Sequence, residues 1–175
     1  MRADKLVVTG RERFFPEKDI IVSKTNLKGH ITYVNQTFMT ISGFSLHELL
    51  GAPHNVVRHP SMPRSVFKLL WDTLEAEREL FAYLINRCKK GDHYWVLAHV
   101  TPSRDAAGKV IGYHSNRRVP NRDVLQGTIM PLYEQLLKEE NKHADRKAGL
   151  QAGANLLTEI ANRENKSYEE FILGL

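Results

Sequence analysis

Apolar positions along this chain change their period several times, and each change marks an element. From Asp19 they come in short β-branched runs: 19–25 (DIIVSKT) and 30–35 (HITYVN) flank a turn at 26–29, a pattern that predicts a hairpin. The spacing of Phe38, Met39 and Ile41 within 35–42 then predicts a short helix that stops at Gly43. Ser45 followed three residues later by Glu48 is a capping-box signature for a second short helix over 45–50, closed by Gly51. Over 65–76, Val66, Leu69, Leu70 and Leu74 form one stripe with Phe67 and Trp71 beside it, which predicts a longer amphipathic helix. Three β-rich runs follow at 79–90, 93–104 and 109–119, separated by Gly91-Asp92 and by a turn at 105–108, and they predict an antiparallel meander. From Asn121 helix formers return, and 124–141, 144–161 and 167–173 read as two or three helices outside the sheet.

This order predicts an α+β fold: a five-stranded antiparallel sheet carrying short helices on one face, plus a C-terminal helical extension. A cavity between sheet and helices follows from that layering. Three regions result: an N-terminal arm over 1–18 that docks by Phe14 and Phe15, a sensor-sized unit over 19–120, and the helical extension over 121–175.

With 175 residues the chain can bury one core and a tail. No apolar run is long enough to span a bilayer, and the charged start resembles no secretory signal, so a cytoplasmic protein with no membrane association is expected. The single Cys88 excludes a disulfide framework and any multi-cysteine metal site within one chain. A formal charge of +5 raises the question of nucleic acid, but the charges are dispersed: Lys89 and Lys90 at a turn, Arg117, Arg118 and Arg122 around a strand end, alternating signs in the last third. Nucleic-acid binding is therefore not expected. Neither is an enzyme, because the chain carries no nucleophile triad, phosphate loop or metal-binding HExxH.

Two clusters stand out, NVVRHPSMP over 55–63 and GDHYW over 91–95, placed like two walls of a ligand pocket with an amphipathic helix between them. Arg58, just ahead of the long helix, can meet an anion or staple its loop. His59 can hydrogen-bond a ligand, ligate iron or cap the helix, and His54 and His93 are further candidate iron ligands. Tyr94 and Trp95 point to opposite sides of their strand, so only one of them can face a pocket.

The order of elements resembles a PAS domain, and the strings ITYVNQTFMTISGFSLHELLGAPHNVVRHPSMP and NRCKKGDHYWVLAHVTP are similar to the PAS domain of aerotaxis receptors over roughly residues 19–119. The resemblance implies noncovalent FAD whose redox state reports on electron transport or oxygen. Haem b is the alternative cofactor, because the family also has haem-binding members. Carried over by position, the flavin-associated asparagine is Asn35, the Arg-His-Pro step is Arg58 and His59, and the sheet tryptophan is Trp95. Asn86 matches the amide that faces the flavin's pyrimidine edge in flavin-binding PAS and LOV domains. His114 falls where LOV domains place a glutamine, and there it would be a proton partner or an exposed cross-strand residue. Ser61 and Leu80 depart from the receptor pattern, and no cysteine occupies 54–60, where LOV domains form their light-driven adduct. The function implied is a redox or oxygen sensor that signals by conformational change, with a homodimer or an unidentified signalling protein as partner. The alternatives are a haem gas sensor and a ligand-free dimerisation module. The C-terminal helices or the Phe14-Phe15 arm are the expected dimer contacts.

Overall fold

The computed structural model describes residues 8–163 and 167–175. Strands β1 (Ile21–Asn26) and β2 (Ile31–Val34) form the hairpin, and β3 (Leu80–Arg87), β4 (His93–Arg104) and β5 (Val110–Arg118) form the meander. All pairings are antiparallel, in the order β2-β1-β5-β4-β3. This places β3, which carries Asn86, at one edge of the sheet. The hairpin docks on β5 because the apolar inner face of β1 needs a partner that the short β2 alone cannot supply.

Between β2 and β3 the chain makes α1 (Gln36–Ser42), α2 (Leu46–Leu49), a 3₁₀ turn at His54–Val57 and α3 (Arg64–Glu75). The capping box forms as the sequence predicts: the Ser45 hydroxyl accepts from the Glu48 amide, and the Glu48 carboxylate accepts from the Ser45 amide. These helices cover the inner face of the sheet. Its outer face is covered too, over β3 and β4, by the C-terminal helices.

Those helices begin with α4 (Arg122–Val124) and continue through a π turn at Leu125–Ile129 into α5 (Met130–Asn141). Pro131 explains the π turn, since it has no N–H to bond the carbonyl four residues back; the ladder slips one residue, and the Met130 amide bonds Leu125 O instead. Leu125, Ile129, Leu132 and Leu136 are buried within the chain. The Tyr133 hydroxyl of α5 donates to the carbonyl of Tyr83 on β3, which pins the helix across the sheet. Helices α6 (Arg146–Arg163) and α7 (Tyr168–Leu173) complete the extension. α6 returns to pack beside α3, so the extension wraps the β3 edge and touches both layers.

The N-terminal arm is tied to the β3–β4 turn. Backbone bonds run from Thr9 to Gly91 O and from Arg13 to His93 O, and Arg11 forms an ion pair with Asp92 at 2.9 Å. Phe15 packs on the core, whereas Phe14 is 70% exposed with the Arg122 guanidinium 5.4 Å from its ring.

Candidate ligand cavity

A cavity of about 560 Å³ lies between α3 and the inner face of the sheet, within the usual range for a small-molecule site. Its apolar wall comes from Val57, Phe67, Leu70, Trp71 and Leu74 on the helical side and from Leu84 and Val100 on the strands. The α3 stripe thus lines a space as well as filling a core. Period-2 alternation aims Asn86 of β3 and Tyr113, Ser115 and Arg117 of β5 toward the same side.

Arg117 decides the electrostatics. It is only 2% exposed, and no carboxylate among the described residues pairs with it. One terminal nitrogen donates to Ser23 Oγ at 2.8 Å and to His54 Nε2 at 2.7 Å, and the guanidinium lies 5.4 Å from the Phe38 ring. Arginine can only donate, so His54 Nε2 must carry the lone pair. Burial and the Arg117 charge push the His54 pKa down to about 3, which keeps the ring neutral. Nε and the other terminal nitrogen of Arg117 have no hydrogen-bond partner among the described residues, and burial lowers its pKa to about 10. Asn86 Nδ2 and Ser115 Oγ are also buried without partners. An apolar cavity edged by several orphaned donors and an uncompensated cation fits a ligand with an acceptor-rich or anionic edge. The pyrimidine edge of a flavin is such a group, and the apolar wall suits its rings.

Of the residues expected to bind, Asn86 and Arg58 line this cavity. Arg58 stacks over Phe67 at 4.5 Å, and its backbone bridges to Asn86, so the two side chains share one corner. Lys28 adds positive charge along the wall, whereas Arg64 and Lys68 there are paired with Glu140 and Asp72. The other four positions are elsewhere. Asn35 is fully engaged: Oδ1 accepts from Val22 N at 3.0 Å and caps α1 through Phe38 N at 3.1 Å, while Nδ2 donates to Ile20 O at 2.7 Å. The His59 ring is buried against His93 at 5.5 Å, and its Nδ1 accepts from Ser61 N at 3.1 Å, a turn staple whose burial lowers its pKa to about 4. Trp95 lies on the outer face, 6.0 Å from the Tyr133 ring, so Tyr94 is the aromatic that faces inward. His114 is also on the outer face, hydrogen-bonded to Asn116 at 3.0 Å. By sequence, Arg117 falls only among dispersed charges around a strand end. The alternation of Tyr113, Ser115 and Arg117 was the signal that could have placed it inside.

The antiparallel 2-1-5-4-3 sheet around this cavity agrees with a family match: residues 19–115 match the PAS fold. The chain belongs to the PAS family. It is 39% identical over 130 residues to the aerotaxis receptor of Escherichia coli strain K12, covering 74% of this chain and 25% of the receptor. It is 28% identical over 102 residues to the nitrogen fixation regulatory protein of Klebsiella pneumoniae, covering 58% of this chain and 21% of that protein. This PAS chain therefore spans about a quarter of the length of such relatives. Among solved structures, it superposes on a light-oxygen-voltage domain from a flavin-analogue study with a TM-score of 0.55 at 23% identity, covering 71% of this chain and 87% of that one. It also superposes on the dark structure of the blue-light photoreceptor Aureochrome1 LOV with a TM-score of 0.54 at 23% identity, covering 69% and 86%. These superpositions establish the shared PAS fold. No helix among the described residues is long and apolar enough to cross a membrane.

Proposed function

We propose that this PAS domain is a cytoplasmic redox or oxygen sensor that binds FAD noncovalently in the cavity between α3 and the sheet. The observation that carries the reading is Arg117, a buried cation without a counter-charge, aimed with Asn86 and Ser115 into an apolar slot. Similarity to the aerotaxis receptor supports the sensing role. When bound, the flavin supplies reversible electron storage, with changes of charge and protonation at its ring system. The chain's own residues do the rest. Asn86 orients the pyrimidine edge, Arg117 balances negative charge at the β1 side of the cavity, Phe67 and Trp71 exclude water, and Arg58 and Lys28 attract the phosphates of the tail. Haem b is disfavoured at His54, whose lone-pair nitrogen is held by Arg117 at 2.7 Å.

The output passes to a second copy of the chain or to a signalling protein. Phe14, exposed on an arm that is tied to the sheet, is the dimer contact this reading favours. One absorbance spectrum of protein purified without harsh washing tests the cofactor. A flavin spectrum that bleaches on chemical reduction is expected. A Soret band would establish haem instead, and a colourless protein that takes up neither FAD nor FMN would reject the reading. Sedimentation of the wild type and Phe14→Ser tests the dimer.

A further inference from the structure

Helix α3, the cavity's helical wall, begins after Pro63, a residue with no side chain able to cap it. Its first amides are satisfied from another part of the chain. Glu140, 2% exposed at the end of α5, accepts from Arg64 N at 3.1 Å and Ser65 N at 2.8 Å, and also from Arg64 Nε at 3.1 Å and Ser65 Oγ at 2.8 Å. The Arg64 guanidinium donates in addition to the carbonyl of Arg146, the first residue of α6, at 3.0 Å. Two glycines of α6 close the junction. A Cβ at position 149 would lie 2.2 Å from Glu140 O, and one at 153 would lie 2.7 Å from Glu140 Cγ and 3.2 Å from Ser65 Cβ. The next residue after Gly149, Leu150, lines the cavity itself.

We propose that the α5–α6 hairpin is a wall of the ligand cavity, latched to α3 by Glu140, so that hairpin and α3 open and close together and ligand release requires the latch to open. The ligand half of this inference rests on the flavin reading above. The latch half does not. Glu140 is a positioning residue: it holds the helix that carries Phe67 and Trp71, while Leu150 meets whatever fills the cavity. Reciprocity follows, because a ligand that favours the closed wall must stabilise the closed hairpin by the same factor by which closure raises the ligand's affinity.

The test is amide hydrogen exchange on the full chain, stripped of flavin and then reloaded with FAD. In the stripped wild type the amides of Arg64 and Ser65, which a helix's first turn normally leaves open, are expected to be protected. Glu140→Gln should speed exchange there and across 146–153 together by about tenfold or more, as loss of charge-assisted bonds implies. FAD should slow both segments together in the wild type, and its dissociation from Glu140→Gln should be about tenfold faster. Unchanged exchange at Arg64 and Ser65 overturns the latch. Faster exchange confined to α3, with 146–153 and FAD release unchanged, makes Glu140 a cap and nothing more, which also overturns the proposal. If the wild type takes up no FAD, the flavin reading fails on its own account, and the exchange pattern still decides the latch: joint deprotection upholds it, deprotection of α3 alone rejects it. Should Glu140→Gln fail to fold, Gly153→Ala serves, since it wedges the same junction with Glu140 intact and must produce the same joint deprotection.

Discussion

Replacing Arg117 by methionine should separate binding from stability. Lowering the guanidinium's pKa from its usual value to about 10 corresponds to about 3 kcal/mol against the charged folded state, at about 1.4 kcal/mol per pH unit. For a cation with a depressed folded pKa, this cost is fully present below pH 10 and fades only as pH rises from about 10 toward the usual arginine value, so at neutral pH all of it applies. Methionine removes the charge. It also removes the bonds to Ser23 and His54 and the contact with Phe38, at roughly 1 kcal/mol each. Neither former partner is left orphaned, because Ser23 Oγ lies 3.1 Å from His54 Nε2 and can donate to it. The terms nearly cancel, so the ligand-free variant should match the wild type or exceed it by up to about 2 kcal/mol, where loss of a buried polar network ordinarily costs about 1–3 kcal/mol. With FAD at about 100 times the wild-type Kd the balance should shift toward the wild type by about 1.3 kcal/mol: the wild type gains about 2.7 kcal/mol, and the variant, binding about tenfold more weakly, gains about 1.4 kcal/mol. Urea unfolding of both proteins with and without FAD, compared by midpoint at constant slope, reads both effects. A ligand-free Arg117→Met destabilised by more than about 1 kcal/mol, or one that keeps FAD as tightly as the wild type, would refute the account of Arg117 as an uncompensated charge awaiting a ligand.

Two further expectations follow from the same geometry. His54 is neutral in the fold, with its pKa lowered to about 3, so the unfolded chain takes up the proton first: its contribution is intact above pH 6.5 and is lost as pH falls toward 3, up to about 2 kcal/mol by pH 5, and His54→Gln should flatten that part of the urea-midpoint profile between pH 7 and pH 5. Asn86→Ala and Arg58→Ala should each reduce flavin retained on purification, whereas Trp95→Phe and His114→Gln, both on the outer face, should leave the flavin's absorbance and retention unchanged; the opposite ranking would place the ligand on the wrong side of the sheet.

What the sequence determined by itself was local and periodic: the hairpin, the Ser45–Glu48 capping box, the apolar stripe of α3 and the three-strand meander can all be read from spacing and motif, whereas the Arg58 and Asn86 corner is a product of the tertiary fold. Which side a strand residue faces was decided by tertiary structure. Side chains alternate, so a pattern such as YHSNRR is compatible with either His114 or Arg117 inside, and only the pairing of β5 with β1 and β4 selects Arg117. The same ambiguity placed Trp95 outside and Tyr94 inside. The extension's course was likewise invisible in one dimension. Its helices were legible, but wrapping the β3 edge depends on Glu140 meeting an amide 76 positions earlier and on glycines that let two helices touch, and such partners are chosen by packing, since no local spacing encodes them.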